Sequence, residues 1–346
     1  MTLLEHDTQR MREALALAEM GWGLTTPNPM VGAILEKDGE VIGRGYHHAA
    51  GEAHAEINAI RDALNSKIDP AGSTLYVTLE PCSTYGRTPP CTEAILQVKI
   101  RRVVVALTDP NPKHAGRGIE ILRNSGVEVT TGVLSAECGR LNAAFFKHIT
   151  TGLPFVMLKL ATTLDGKIAT ASGDSKYVTG VEARRRVQKL RRLADAVLVG
   201  ATTARCDHPQ LTVREPENWK HQPLRLIASN SMDEAELNDL FPEGNAEIVD
   251  VDSGEKWQTL LETLARRNVM TLLIEGGGEI AASAIQSGIV DYVEFHIAPK
   301  LLGGRDSRAA LGGDSPALMA EALPLKNVRH FTLGDDFIVT GYLKEQ

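Results

Sequence analysis

Cysteine is scarce in this chain, four among 346 residues, which excludes a small fold stapled by disulfides. Aromatic residues are few, at 5%, so the core has to come mostly from aliphatic side chains. No apolar run approaches the roughly 18 residues that a membrane-spanning helix needs. The amino-terminal MTLLEHDTQR also lacks the apolar stretch of a secretory signal. Excess positive charge is missing: the formal net charge is −7, which opposes a nucleic-acid-binding surface. There is no Walker-type loop, no convincing repeat and no low-complexity tract. These absences leave the expectation of a soluble, cytoplasmic protein of two domains, with neither membrane nor nucleic acid as partner.

What is there begins with His54-Ala55-Glu56, followed by Pro81-Cys82 and then Cys91. One imidazole, two thiolates and an acid beside the imidazole are the parts of a hydrolytic zinc centre. Imidazole and soft thiolates suit Zn²⁺, and three protein ligands leave a fourth position for water. Two thiolates neutralise much of the metal's charge, so a general base near the water is useful, and Glu56 is placed to be one. His-x-Glu followed by Pro-Cys and a second Cys is the signature of zinc deaminases. The bland alternatives are packed core residues or a structural zinc site. A structural site needs a fourth ligand and usually shows short Cys-x2–4-Cys spacing, and the Cys82–Cys91 interval is longer than that. It is also longer than the usual deaminase Cys-x-x-Cys.

Periodicity supplies the frame. A helix is expected over 7–20, capped by Asp7 or Thr8, then a strand at Val31–Leu35 and a hairpin through Lys37–Glu40. Ile57, Ile60 and Leu64 recur at helical spacing, which puts His54 and Glu56 at a helix start, where the dipole favours negative charge. A strand at Leu75–Leu79 leads into Pro81-Cys82, a helix follows Cys91, and strand and helix alternate to about Thr130. Such alternation implies a layered α/β sheet. Thr150 to Pro154 reads as a linker, dividing the chain into 1–149 and 150–346.

Beyond it, strands are expected at Phe155–Leu160, Ala196–Val199, Leu224–Ile227, Thr271–Ile274 and Tyr292–Ile297, with a basic helix over 181–193. The arginines of that helix read as a solvated face, with one or two free for a phosphate. Asn230 to Ser253 reads as acidic, turn-rich and exposed. Strand Leu272–Ile274 runs into Glu275-Gly276-Gly277-Gly278 and then a helix. Glycines at such a junction leave N–H groups for a phosphate, or simply make a tight turn.

With both halves placed, the chain resembles the bifunctional deaminase/reductase family of riboflavin biosynthesis. The resemblance rests on Pro27-Asn28-Pro29-Met30-Val31-Gly32, Gly51 to Glu56, Thr78 to Cys82, Gly86 to Cys91 and Asp109 to Pro112. In the second half it rests on Leu164-Asp165-Gly166, Asp207-His208-Pro209, Leu211 to Arg214, Glu275-Gly276-Gly277 and Ala298 to Gly304. The long Cys82–Cys91 interval is usual in that family. The resemblance implies a cytidine-deaminase-like α/β/α sandwich followed by a dihydrofolate-reductase-like α/β domain. Zinc would be held by His54, Cys82 and Cys91, with Glu56 moving the proton. Asn28, His47, Arg87, Thr88, Asp109 and Asn111 match positions that grip the phosphoribosylaminopyrimidine.

In the second domain the resemblance implies NADPH as cofactor. Ala161, Tyr177, Thr203, Asp207 and Ser229 match cofactor contacts, as does the run Gly277, Gly278, Glu279, Ile280, Ala281, Ala282 and Ser283. Ser175, Arg191, Leu211, Arg214 and Glu275 match substrate contacts, and paired reductase domains would suit the family as a homo-oligomer. Lys159, Glu275 and water are candidate acids for the reduction. Thr84 stands where a His is common, and Tyr177 where a Trp can occur. Two other classes compete: a nucleic-acid or nucleoside base deaminase with an accessory domain, which would need a basic channel, and a non-catalytic zinc-stabilised binding protein, in which Glu56 would be dispensable.

Overall fold

A computed structural model of the chain describes residues 2–85, 89–111 and 114–344. The chain divides into two compact units, Met1–Gly152 and Leu153–Gln346.

The first unit runs α1 (Leu3–Ala18), β1 (Gly32–Lys37), β2 (Glu40–Tyr46), α2 (Ala55–Asn65), β3 (Thr74–Val77), α3 (Cys91–Gln97), β4 (Arg102–Val105), α4 (Arg117–Asn124), β5 (Glu128–Thr131), α5 (Ser135–Leu141) and α6 (Ala143–Thr151). Its strands form a five-stranded sheet in the order β2-β1-β3-β4-β5. Strand β1 is antiparallel to β2 and β3, while β3, β4 and β5 are parallel neighbours. The period-two alternation of strands sets the layers. Ala33, Leu35, Leu75, Val77, Val103 and Val105 face Ala55, Ala59 and Ala63 of α2, Ile95 of α3 and Leu122 of α4. Ile34, Tyr76 and Val104 face the other way, onto Met11 and Ala14 of α1 and Cys138 of α5. The result is the α/β/α sandwich that the resemblance implied. Helix α2 lies directly on β2, since a Cβ at Gly43 or Gly45 would come within 2.2 Å of the carbonyl oxygen of Ala59 or Ala55.

Two local expectations are corrected. Helix α1 starts at Leu3 with Thr2 as cap: Thr2 Oγ1 accepts from Glu5 N while Glu5 accepts from Thr2 N. Asp7 is instead buried, held bidentately by Arg102 at 2.8 and 2.7 Å. Thr150 and Thr151, read as linker, close the last turn of α6, their hydroxyls donating to Phe146 and Lys147 carbonyls.

The second unit runs β6 (Phe155–Thr163), β7 (Lys167–Ala169), α7 (Val181–Leu193), β8 (Ala196–Gly200), α8 (Ala201–Asp207), β9 (Leu224–Ala228), α9 (Glu234–Leu240), β10 (Ala246–Val249), α10 (Gly254–Arg266), β11 (Thr271–Glu275), α11 (Gly278–Gln286), β12 (Tyr292–Ala298), β13 (Arg308–Ala309), β14 (Lys326–Leu333) and β15 (Asp336–Tyr342). Eight strands form one sheet in the order β10-β9-β8-β11-β6-β12-β15-β14. The six from β10 to β12 are parallel, and β15 and β14 add on antiparallel. Val156, Leu158, Leu160, Leu272 and Ile274 pack one face against Trp257, Leu261 and Leu264 of α10 and Ala281 and Ala284 of α11. The alternate residues Lys159 and Glu275 therefore point to the opposite face, where α7 lies.

The arginines of α7 are not a solvated row. Arg186 holds the buried Glu294 at 3.0 Å from both Nε and Nη2, and Arg191 holds Glu275 at 2.6 and 2.8 Å. Nor is 230–253 merely exposed: it contains α9 and β10, and Met232, Leu237 and Phe241 are buried. Long-range packing overrides the local acidity there. Among the described residues no helix is long and apolar enough to cross a membrane.

Candidate active sites

In the first unit, His54 is the residue that precedes α2 and makes no capping bond, so its ring is free to turn inward. Its Nδ1 lies 3.3 Å from Cys91 Sγ and 3.4 Å from Cys82 Sγ. Cys91 opens α3, and its N–H donates to Cys82 Sγ at 3.3 Å. These ligand atoms all lie within 4.8 Å of one another. Ligands at tetrahedral zinc distances stand roughly 3.6 Å apart, as zinc–sulfur and zinc–nitrogen bond lengths require, so the three donors fit the metal. Among the described residues no fourth His, Cys, Asp or Glu joins the cluster.

The electrostatics agree. The Cys82 thiol is pushed down to about 4, first by the hydrogen bond from Cys91 and then by His54, while Cys91 is pushed up as the other half of that pair. His54 is raised by its bond to Cys82. Two sulfurs and a nitrogen so close together share protons that a cation would displace. Glu56, in the first turn of α2 and 3% exposed, is raised to about 7, by burial first and then by the charge on Cys82. A carboxylate poised there can both accept and release a proton.

Of the expected pyrimidine contacts, Asn28 and His47 come together. His47 is buried and its basicity is lowered by that burial. The neutral ring fits its partners: Nδ1 donates to Ala53 O at 3.1 Å and Nε2 accepts from Asn28 Nδ2 at 3.0 Å. The His47 ring meets the His54 ring edge-on at 5.5 Å. Asp109 accepts from Asn111 N at 2.8 Å, and burial raises the Asp109 carboxyl. Arg87 and Thr88 lie outside the described residues. Sequence reasoning missed two buried polar side chains that hold this site. Asn142 clamps the Met30 backbone with two 2.8 Å bonds, one at N–H and one at C=O. Glu80 accepts from the backbone N–H groups of Asp109, Gly116, Gly118 and Ile119.

In the second unit the expected residues gather at the carboxyl ends of the parallel strands, where open α/β sheets bind ligands. Gly276 and Gly277 have φ of 72° and 83°, so this strand-to-helix turn requires glycine. Two helix starts meet there: a Cβ at Gly277 would touch Thr203 Oγ1 of α8 at 3.4 Å, and one at Gly200 would touch Ile280 of α11 at 3.1 Å. Thr203, Gly277, Gly278 and Ile280 are thereby brought together. Further along α11 the side chains turn into the core: Ala281 and Ala282 are buried, and Ser283 Oγ accepts from Trp257 Nε1 at 2.9 Å. Ser175 donates to Asp207 at 2.8 Å. Tyr177 is 67% exposed, under the Arg184 guanidinium at 4.4 Å. The Ser229 hydroxyl accepts from Ser231 and Met232 N–H.

Of the expected substrate residues, Arg191, Glu275, Leu211 and Arg214 lie around the second half of α7, whereas Ser175 is bonded to Asp207. Arg191 joins Glu275 to Thr212 O at 3.0 Å, beside buried Leu211. Arg214 N–H is fixed by Gln188. Lys159 sits in register between Glu275 and Glu294 on the neighbouring strands, and burial lowers its basicity. Glu279 faces the loop after β13, accepting from Gly313 N. Ala161 pairs with His296 in the same sheet.

Together the folds and sites define a zinc-dependent deaminase joined to a reductase. Residues 4–107 match the cytidine and deoxycytidylate deaminase zinc-binding region, and 154–339 match the RibD C-terminal domain. The riboflavin biosynthesis protein RibD of Actinobacillus pleuropneumoniae is 39% identical, over 96% of this chain and 94% of that protein. The structure of Acinetobacter baumannii RibD superposes with a TM-score of 0.85 at 37% identity, covering 99% of this chain and 100% of that one. A Thermotoga maritima diaminohydroxyphosphoribosylaminopyrimidine deaminase/5-amino-6-(5-phosphoribosylamino)uracil reductase superposes at 0.86, with 34% identity and 99% of both chains covered. The chain belongs to the RibD family: it is a bifunctional enzyme of riboflavin biosynthesis, with zinc and NADPH as cofactors. A nucleic-acid deaminase is not favoured.

Proposed function

We propose that the first unit hydrolyses the 2-amino group of 2,5-diamino-6-(5-phosphoribosylamino)pyrimidin-4-one, releasing ammonia, and that the second reduces the ribosyl group of the product to ribityl. The observation that carries the first step is Glu56 beside a three-donor cluster with a coordination position to spare. Zinc held by His54, Cys82 and Cys91 would supply the Lewis acidity that makes a water reactive. Glu56 would take one proton from that water and give it to the ring nitrogen as oxygen bonds to C2, then take the second from the new C2 hydroxyl and give it to the amino group, so that C2 becomes a carbonyl and ammonia leaves. His47 and Asn28 fix the pyrimidine edge, with Asp109, Asn111, Arg87 and Thr88 on the ring or its phosphoribosyl arm.

In the second unit NADPH would supply hydride to C1′ of the ribosyl group. The glycine turn at Gly276–Gly278 and the start of α8 at Thr203 suit its phosphates, while Tyr177, Asp207, Ser229, Ala161 and the first-turn residues Glu279 and Ile280 complete its contacts; Ala281, Ala282 and Ser283, expected there too, face the core instead. Ser175, Arg191, Leu211, Arg214 and Glu275 hold the substrate. In this reading Lys159, half-buried and in register between Glu275 and Glu294, gives the balancing proton. We assign the enzyme to a reducing cytoplasm, since both thiols must stay reduced to hold a metal.

A homo-oligomer through the second unit is part of this proposal, supported by the exposed apolar side chains Val328 and Phe331 of the edge strand β14 and Phe337 of its neighbour β15. Phe331→Asp should lower the mass measured by light scattering, and an unchanged mass would contradict that interface. The test of function supplies the diaminopyrimidine phosphoriboside and follows ammonia release and NADPH oxidation separately, with and without chelator. Ammonia release should need the metal. Reduction of the already deaminated substrate should not.

A further inference from the structure

Glu80 lies two residues before the ligand Cys82 and is 7% exposed. Its Oε2 accepts from Asp109 N at 3.0 Å and from Gly116 N at 2.9 Å. Its Oε1 accepts from Gly118 N at 2.8 Å and from Ile119 N at 3.3 Å, in the first turn of α4. One oxygen thus ties together the two ends of the segment that carries Asp109 and Asn111, and the other ties that segment to a helix. The approach is close: a Cβ at Gly118 would stand 2.1 Å from Pro81 O and 3.2 Å from Glu80 Oε1. Charge-assisted bonds from backbone amides to an ionised oxygen are among the stronger protein hydrogen bonds. A buried carboxylate that accepts from several amides fixes their spacing more firmly than a neutral side chain would. Through Pro81, the same residue is anchored to the metal-ligand segment.

We propose that Glu80 is a positioning residue for deamination: it sets the distance between the metal ligand Cys82 and the pair Asp109 and Asn111, which meet the pyrimidine phosphoriboside. This rests on the reading that Asp109 and Asn111 touch that substrate. Glu80 itself meets no reacting atom. Its effect is on how the substrate is held, not on how the water is activated.

The test is steady-state ammonia release by the full chain carrying Glu80→Gln, which keeps the shape but turns an N–H₂ group toward amide donors. KM should rise about tenfold or more, the scale of a lost charge-assisted hydrogen bond, while kcat changes by less than about threefold. Zinc content and the rate of NADPH oxidation on deaminated substrate should stay as in the parent. Asn111→Ala alone should raise KM, and the double variant should be no worse than the poorer single one, because both act through one contact. If Glu80→Gln does not purify as folded protein, Glu80→Asp carries the same test with the charge withdrawn by one methylene. An unchanged KM in the Glu80 variant beside a raised KM in Asn111→Ala overturns the proposal, as do additive effects. A fall in kcat together with lost zinc also overturns it, since Glu80 would then serve the metal. An Asn111→Ala enzyme with unchanged KM would instead sink the substrate-contact reading on which the proposal stands.

Discussion

In the first unit the proposed metal ligands are side chains from three separated stretches of chain, gathered within 4.8 Å at the starts of two helices. In the second the proposed binding groups are spread along the carboxyl ends of parallel strands, and the proposed phosphate contacts are backbone, at glycines whose φ angles other residues avoid. The difference follows from what each binds. A metal ion demands particular donor atoms at fixed distances. A dinucleotide phosphate is met by N–H groups that any residue could supply, so the chain is selected for its turn. One site should therefore fail by loss of single side chains, and the other by changes in backbone.

The largest expected effect is at Glu56. Glu56→Gln should lower deamination by roughly 10²–10⁴-fold, the usual span of a general acid–base group, with zinc retained and reduction unaffected. Near-normal ammonia release in that variant would erase the contrast. Next comes the paired charge beneath the reductase site. Glu294 is 1% exposed and bonded to Arg186 and His296, so Glu294→Ala should destabilise the second unit by about 3–5 kcal/mol, as when a buried pair loses one partner. Urea unfolding followed through this unit would measure it.

The pH dependence of that pair has a definite sign. Burial alone would raise the Glu294 carboxyl, but His296 and then Arg186 leave it at about 2. Because the folded value lies below the unfolded one, the contribution is complete above roughly pH 4.5 and is lost as pH falls toward 2. Glu294→Gln should flatten that fall. A variant as acid-sensitive as the parent would show the stabilisation lies elsewhere.

The smallest effect probes the backbone site. Gly277→Ala adds a Cβ at φ 83° and 3.4 Å from Thr203 Oγ1. It should cost about 1–2 kcal/mol of local strain and raise KM for NADPH while ammonia release stays unchanged. An unaltered KM would mean that the turn serves packing alone.

The same contrast explains what could be read from the sequence. His54, Glu56, Cys82 and Cys91 are legible because their chemistry is in the side chains and their order along the chain. Helix α7 was legible over 181–193 because its periodicity is strong, yet the partners of Arg186 and Arg191 were not, since Glu294 and Glu275 reach them only across the sheet. Glu80 and Asn142 escape notice because their partners are backbone amides and carbonyls far along the chain. The strand β14 has no alternation to read, being exposed along nearly its whole length, and exists through its pairing with β15. The start of α1 was misjudged because Asp7 is a plausible cap by type, and only the fold reveals its buried bond to Arg102.

The central claim is that His54, Cys82 and Cys91 hold one zinc with a position left open beside Glu56. X-ray absorption at the zinc edge of the purified full chain tests it most directly. The account predicts one metal per chain bound by two sulfurs at about 2.3 Å, one imidazole nitrogen and one further light atom from solvent. A third sulfur, a second imidazole, or a chain that purifies folded and deaminates without zinc would contradict it.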